Sequence, residues 1–153
     1  MALGASPEQT IEALREAETY DGPSLILAYS HCIAHGYDLR DGMKQQHRAA
    51  ASGYWPLFRY DPTMRRADMS PFRLDSTRPR LPVEEFLYRE LRYRILTQTR
   101  PADARVLLRQ AQASVDERYR LHEDMAAREG TRFHPFWQEE TVTRAAKPAE
   151  GPR

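Results

Sequence analysis

A chain of 153 residues with 29% charged residues, one cysteine and a net charge of +1 makes one domain, or one domain with an appendage. Its 23 basic and 22 acidic residues are mixed along the sequence, which argues against a nucleic-acid partner, and a single thiol excludes an internal disulfide framework. No apolar run approaches the roughly 20 residues of a membrane helix, and no secretory signal opens the chain, so a cytoplasmic protein with no membrane partner is expected.

Ser6-Pro7-Glu8-Gln9 is a helix start. Ser6 can cap, Pro7 suits the first helical position and Gln9 completes a capping box. Ile11, Leu14 and Ala17 or Glu18 follow at helical spacing, and Tyr20-Asp21-Gly22-Pro23 ends the helix. Leu25-Ile26-Leu27-Ala28-Tyr29 is then a short apolar run with turn signals on both sides, which predicts a strand buried on both faces, as in a parallel sheet. A helix, a tight connection and a buried strand form the second half of a βαβ unit. Only five residues precede Ser6, so the first strand of that unit is expected upstream of Met1.

His31, Cys32 and His35 follow directly, where ligands collect outside the carboxyl ends of parallel strands. Three readings stand side by side. Cys32 can be a small buried hydrophobe with locally packed histidines. His31, Cys32 and His35 can bind zinc, although zinc wants four tetrahedral ligands and adjacent residues rarely point at one metal. Cys32 can also supply one thiolate to a site completed by residues outside this chain.

Asp38 can cap a helix to about Ser52, with Leu39, Met43, His47 and Ala50 at helical intervals and Gly53 as the stop. Residues 54–62 are aromatic and extended. Pro56 makes an edge strand the better expectation there, and the aromatics read as core or interface anchors rather than a stacking platform. Residues 61–82 carry four spaced prolines and read as a connector, with Phe72-Arg73-Leu74-Asp75 a short extended piece. Helix resumes at Pro82, with Glu84 and Glu85 in its first turn and Leu87, Leu91 and Ile95 as its stripe. A last helix opens at Pro101. Its narrow buried side is Ala104, Leu108, Ala111, Val115, Tyr119, His122 and Met125, and Gly130 ends it. Such narrow stripes fit an extension packed on a larger body. Phe133, Pro135, Phe136 and Trp137 form an aromatic knot, and the tail to Arg153 reads as disordered.

The wording itself then becomes recognisable. E-A-E-T-Y-D-G-P-S-L-I-L-A-Y-S-H-C-I-A-H-G-Y-D-L, S-G-Y-W-P-L-F-R-Y-D-P and P-F-R-L-D-S resemble the C-terminal end of the pyruvate:ferredoxin (flavodoxin) oxidoreductases. E-E-F-L-Y-R-E-L-R-Y and P-A-D-A-R-V-L-L are similar to the segments that follow. The resemblance runs from about Met1 to Glu129. It implies an α/β fold in which residues 1–60 are the C-terminal part of a thiamine-diphosphate-binding parallel-sheet domain. Residues 61–130 are then a proline-rich connector and helical extension, and 131–153 a disordered tail. It further implies that Cys32, in A-Y-x-x-C-I-x-x-G, is one ligand of a [4Fe–4S] cluster. Thiamine diphosphate, magnesium, coenzyme A and pyruvate would be handled by the complete enzyme, a homodimer passing electrons to ferredoxin or flavodoxin.

The remaining machinery is not in these 153 residues. There is no G-D-G with a following asparagine for magnesium diphosphate and no C-x-x-C pair, whereas a [4Fe–4S] cluster takes four cysteines. No catalytic residue is expected here, and the chain alone is expected to be inactive. His31 and His35 can tune a cluster from outside its ligand set or simply pack and cap. Two other classes remain open, namely a non-catalytic helical module docking on a redox complex and a free-standing zinc or regulatory protein.

Overall fold

The computed structural model describes residues 1–67 and 69–128. Ser6 caps helix α1 (Pro7–Thr19), its hydroxyl accepting from the Gln9 amide at 3.1 Å. Only half of the predicted capping box forms. The Gln9 side chain turns away and donates to Asp75 at 3.0 Å. The predicted apolar stripe is not the buried one either. Gln9 and Thr10 are buried, while Ile11 and Leu14 are about half exposed.

The predicted strand over Leu25–Tyr29 is extended chain outside any sheet, and Leu25 and Leu27 are exposed. One trace of the parallel arrangement survives. The Met1 amino group donates to the Leu27 carbonyl at 2.7 Å, and the Tyr29 amide donates to the Met1 carbonyl at 2.9 Å. That pattern is a single parallel bridge between Met1 and Ala28. A strand needs a partner along its length, and among the described residues only Met1 stands in that position.

The sheet among the described residues is instead a two-stranded antiparallel hairpin of β1 (Phe58–Tyr60) and β2 (Phe72–Leu74), with Arg59 opposite Arg73. It uses the expected edge strand and the expected extended piece. A 3₁₀ turn at Pro62–Ala67 lies between them. Arg59 fixes α1 to this hairpin. Its guanidinium is 12% exposed and donates twice to Asp75 at 2.8 Å, once to Glu16 at 2.7 Å, and pairs with Glu12 at 3.0 Å.

Asp38 caps as predicted, but it starts a 3₁₀ turn, Leu39–Asp41, that runs into α2 (Gly42–Ala51). The buried face of α2 is Gly42, Gln45, Gln46 and Ala49, one step out of phase with the predicted stripe, and Met43 and His47 face outward. The helix predicted from Pro82 is two helices, α3 (Val83–Leu87) and α4 (Leu91–Thr99), broken at Tyr88–Glu90. Val83, Phe86 and Leu87 are buried, whereas Leu91 and Ile95 are about half exposed. Helix α5 (Pro101–Ala127) follows the sequence closely, and Ala104, Val115 and Tyr119 are its buried residues. Gly130, the aromatic knot and the tail lie outside the described residues.

The core is Ala49, Val83, Phe86, Leu87 and Val115, ringed by Tyr29, Tyr54, Trp55 and Tyr93 among others. Phe86 is its centre, with the Tyr54 ring 4.4 Å away and Tyr29 edge-on at 6.3 Å. Gly53, at φ 73°, lets the chain turn between α2 and this core. A Cβ there would lie 2.7 Å from Pro79 and 3.1 Å from Val115. Among the described residues no helix is long and apolar enough to cross a membrane.

Two measurements check this packing. Phe86→Ala should lower the unfolding free energy by about 3–5 kcal/mol in a urea titration. His122 is stacked on Phe58 and Phe72 at 5.2 and 5.6 Å, and burial and then the nearby Arg118 push its pKa down. The unfolded chain therefore binds this proton more readily than the folded one. Stability should be level above the ordinary histidine pKa of about 6.5 and fall as pH drops below it, levelling off under the folded pKa. His122→Phe should remove that part of the pH dependence.

Candidate functional site

Cys32 is exposed and stands at the N-terminal edge of a 3₁₀ turn, Ile33–His35, in extended conformation. Its carbonyl accepts from the His35 amide at 3.0 Å, and the Ile33 carbonyl accepts from Gly36 at 3.0 Å. Gly36 adopts φ 75°, the left-handed conformation that ends such a turn with little strain only in glycine. It also lies flat on Leu91, where a Cβ would come within 2.5 Å of the Leu91 Cβ. The loop thus reverses over the α3–α4 junction and leaves the sulfur outward.

Among the described residues Cys32 is exposed and does not pack as a small buried hydrophobe. The three side chains of the zinc reading are not brought together either. Among the described residues no three His, Cys, Asp or Glu side chains could hold a metal together, and the two histidines diverge from Cys32. The His31 Nδ1 meets the Gln46 side chain at 3.1 Å, and Gln46 in turn accepts from the Gly4 amide at 2.7 Å. His35 turns inward to Glu90.

Glu90 is the residue that periodicity alone missed. It is wholly buried, in the break between α3 and α4. Its Oε1 accepts from the Gln45 amide group at 3.2 Å and the Tyr29 hydroxyl at 3.4 Å, and its Oε2 accepts from Arg92 Nε at 2.6 Å. His35 Nδ1 is 3.5 Å from Oε1, an ion-pair distance without a formed hydrogen bond. Burial and then the Glu90 carboxylate hold the Tyr29 phenol far above the ordinary tyrosine range. Tyr37 is raised by burial, by Glu90 and by Cys32, in that order. The sequence signal was available, since a helix stripe interrupted by R-E-L-R places an acid where an apolar residue belongs.

Polar groups around the loop lack partners among the described residues. His35 Nδ1, the Tyr37 hydroxyl and Trp55 Nε1 are buried without a hydrogen bond, although native proteins satisfy nearly all such groups. All three can donate. A [4Fe–4S] cluster takes four cysteines; Cys32 could offer one exposed sulfur, and the other ligands would come from outside the described residues.

The extended segment feeding the loop is equally unsatisfied. Leu25 is 85% exposed, Leu27 57% and Ile33 75%. Ile26 and Ala28, whose backbone groups point away from Met1, make no backbone hydrogen bonds among the described residues.

No family model matches the sequence. Curated relatives do. The pyruvate-flavodoxin oxidoreductase of Nostoc sp. is 46% identical over 128 residues, covering 84% of this chain and 11% of that protein. A probable pyruvate-flavodoxin oxidoreductase of Escherichia coli is 45% identical over 130 residues, again 84% of this chain and 11% of the relative. The pyruvate:ferredoxin oxidoreductase of Moorella thermoacetica is 40% identical over 126 residues, 82% of this chain and 11% of the relative. The chain therefore spans about a tenth of the length of the relatives it matches.

Gly36→Ala tests the loop geometry. It should cost about 1–2 kcal/mol for the left-handed conformation alone, more with the Leu91 overlap. It should also change the rate at which a thiol reagent labels Cys32, the chain's one thiol.

Proposed function

From the homology of this chain to a tenth-length segment of the pyruvate-flavodoxin and pyruvate:ferredoxin oxidoreductases, we propose that it is the C-terminal part of such an enzyme. In this reading Cys32 is one of the four thiolates of a [4Fe–4S] cluster in the coenzyme A-dependent oxidative decarboxylation of pyruvate. The cluster supplies one-electron transfer between thiamine diphosphate and ferredoxin or flavodoxin. This chain's residues would hold one corner of it and orient the loop through Gly36 and Glu90.

The observation that supports the reading best is the matched incompleteness of the Cys32 loop and its preceding segment. One thiolate is exposed, and the chain leading to it is apolar on both faces with one backbone edge unpaired. Such a segment wants a parallel neighbour and two covering layers. The rest of the oxidoreductase would supply them together with the other three thiolates, thiamine diphosphate and magnesium. Residues 1–60 would thereby complete a parallel-sheet domain, and 61–130 extend from it. The complete enzyme would be a cytoplasmic homodimer, and the isolated chain inactive.

Cys32→Ser in the assembled oxidoreductase should remove one cluster's worth of iron, abolish that cluster's electron paramagnetic resonance signal and stop pyruvate-dependent acceptor reduction, with the helical circular dichroism unchanged. Full iron content and normal acceptor reduction in that variant would favour a docking module without a cofactor. Reconstituted alone with iron and sulfide, the chain should show no stable [4Fe–4S] absorption and no pyruvate turnover.

A further inference from the structure

A wholly buried carboxylate is costly unless every oxygen is answered, and Glu90 is answered in an informative way. Two of the groups around it belong to the chain that carries Cys32. Tyr29 stands three residues before the cysteine and donates its hydroxyl at 3.4 Å. His35 stands three residues after it, with Nδ1 at 3.5 Å. Gln45 anchors the same oxygen to α2 at 3.2 Å and also donates to the Phe86 carbonyl at 3.0 Å. Next to Glu90, Leu91 forms the surface on which Gly36 lies. One side chain thus meets both flanks of the loop, bonded to the Tyr29 hydroxyl before Cys32 and beside the His35 ring after it.

Its charge is only partly offset. The counter-ion, Arg92, meets Oε2 at 2.6 Å, but the arginine side chain is 38% exposed while Glu90 is not exposed at all. Water therefore screens the positive partner more than the negative one. Burial first, and then Glu90, raises the pKa of both Tyr29 and Tyr37.

The geometry points to Glu90 as the residue that positions the Cys32 loop and, with Arg92, sets the reduction potential of the cluster that Cys32 ligates. This rests on the proposed role of Cys32. Charge near an iron–sulfur cluster shifts its potential because reduction adds an electron. A buried negative charge disfavours the reduced state, and a nearby positive charge favours it. The two partners should therefore act in opposite directions, which a merely structural role would not produce.

The test is a redox titration of the assembled oxidoreductase, followed by electron paramagnetic resonance, on Glu90→Gln, Arg92→Gln and Cys32→Ser. Glu90→Gln should shift the potential of the Cys32-bound cluster to more positive values. Arg92→Gln should shift it to more negative values, with other clusters unmoved and iron content intact. If both variants keep the wild-type potential while Cys32→Ser loses the cluster signal, the inference about Glu90 falls and the role of Cys32 stands. If Cys32→Ser leaves that signal and the iron unchanged, the proposed function falls, and this inference with it. Should Glu90→Gln fail to assemble, Arg92→Gln decides alone, and an unmoved or positive shift there overturns the inference.

Discussion

The buried carboxylate of Glu90 is the constraint around which the centre of this structure is arranged. Desolvating a carboxylate costs several kcal/mol after relaxation, and recovering that cost requires donors from several directions. Gln45 comes from α2, Tyr29 from the extended segment and Arg92 from the start of α4. Those three elements are separated in sequence by up to 63 residues, so the carboxylate acts as a long-range cross-link. It stands where the helix predicted from Pro82 breaks, at Tyr88–Glu90. In a continuous helix position 90, four residues after Phe86 and three after Leu87, would share their buried face, so the acid stands where an apolar residue belongs. Glu90 is wholly buried at this break, and Leu91 and Ile95 after it are about half exposed.

A second polar hub holds the periphery. Arg59 and Asp75 are both nearly buried and make a two-point pair, and Gln9, Glu12 and Glu16 bring α1 onto it. Two-point guanidinium–carboxylate pairs carry geometric specificity as well as attraction. Helix α1 is therefore docked through its polar side. Its apolar residues Ile11 and Leu14 face outward, on a helix whose sequence promised the reverse. Amphipathic helices normally bury that stripe, so the polarity of this docking is consistent with a second covering layer for α1.

How legible this was in the sequence differs from element to element, for physical reasons. Caps and breakers act locally, and Ser6, Asp38, Pro101 and the Phe58 and Phe72 strands fell where local chemistry put them. The buried side of α5 was legible because one helix packing on one body obeys a single period. The phases of α1, α2 and the Pro82 helix were not, because Gln9, Gln45, Gln46 and Glu90 are buried by hydrogen bonding rather than by hydropathy. Periodicity counts apolar residues and is blind to a polar side chain satisfied inside. The Leu25–Tyr29 run was recognisable as extended and apolar, yet the pairing that makes a strand depends on a neighbour no local pattern supplies. For the candidate site, Cys32 was visible as the one thiol, and its exposure was not. His35 was singled out for its spacing, while its partner Glu90 came only with the fold.

These mismatches share a cause. Each apolar surface the sequence predicted as buried and the structure leaves open lies on α1, on the segment into Cys32, on the outer face of α2 or on α4. The interior, by contrast, is closed, with Phe86, Val83 and Ala49 wholly inaccessible. A chain that simply lacked the means to fold would show loose packing throughout, because close packing and burial are cooperative. Here the deficit is confined to outer faces, while the cross-links through Glu90 and Arg59 hold the elements in place. Buried polar atoms without a partner among the described residues include those of His35, Tyr37 and Trp55 around the extended segment and its loop, and also those of Gln9, Gln45 and His122 elsewhere. Along the segment from Leu25 to Tyr37, exposed apolar side chains and unpartnered buried polar atoms occur together, and the outward thiol of Cys32 stands among them.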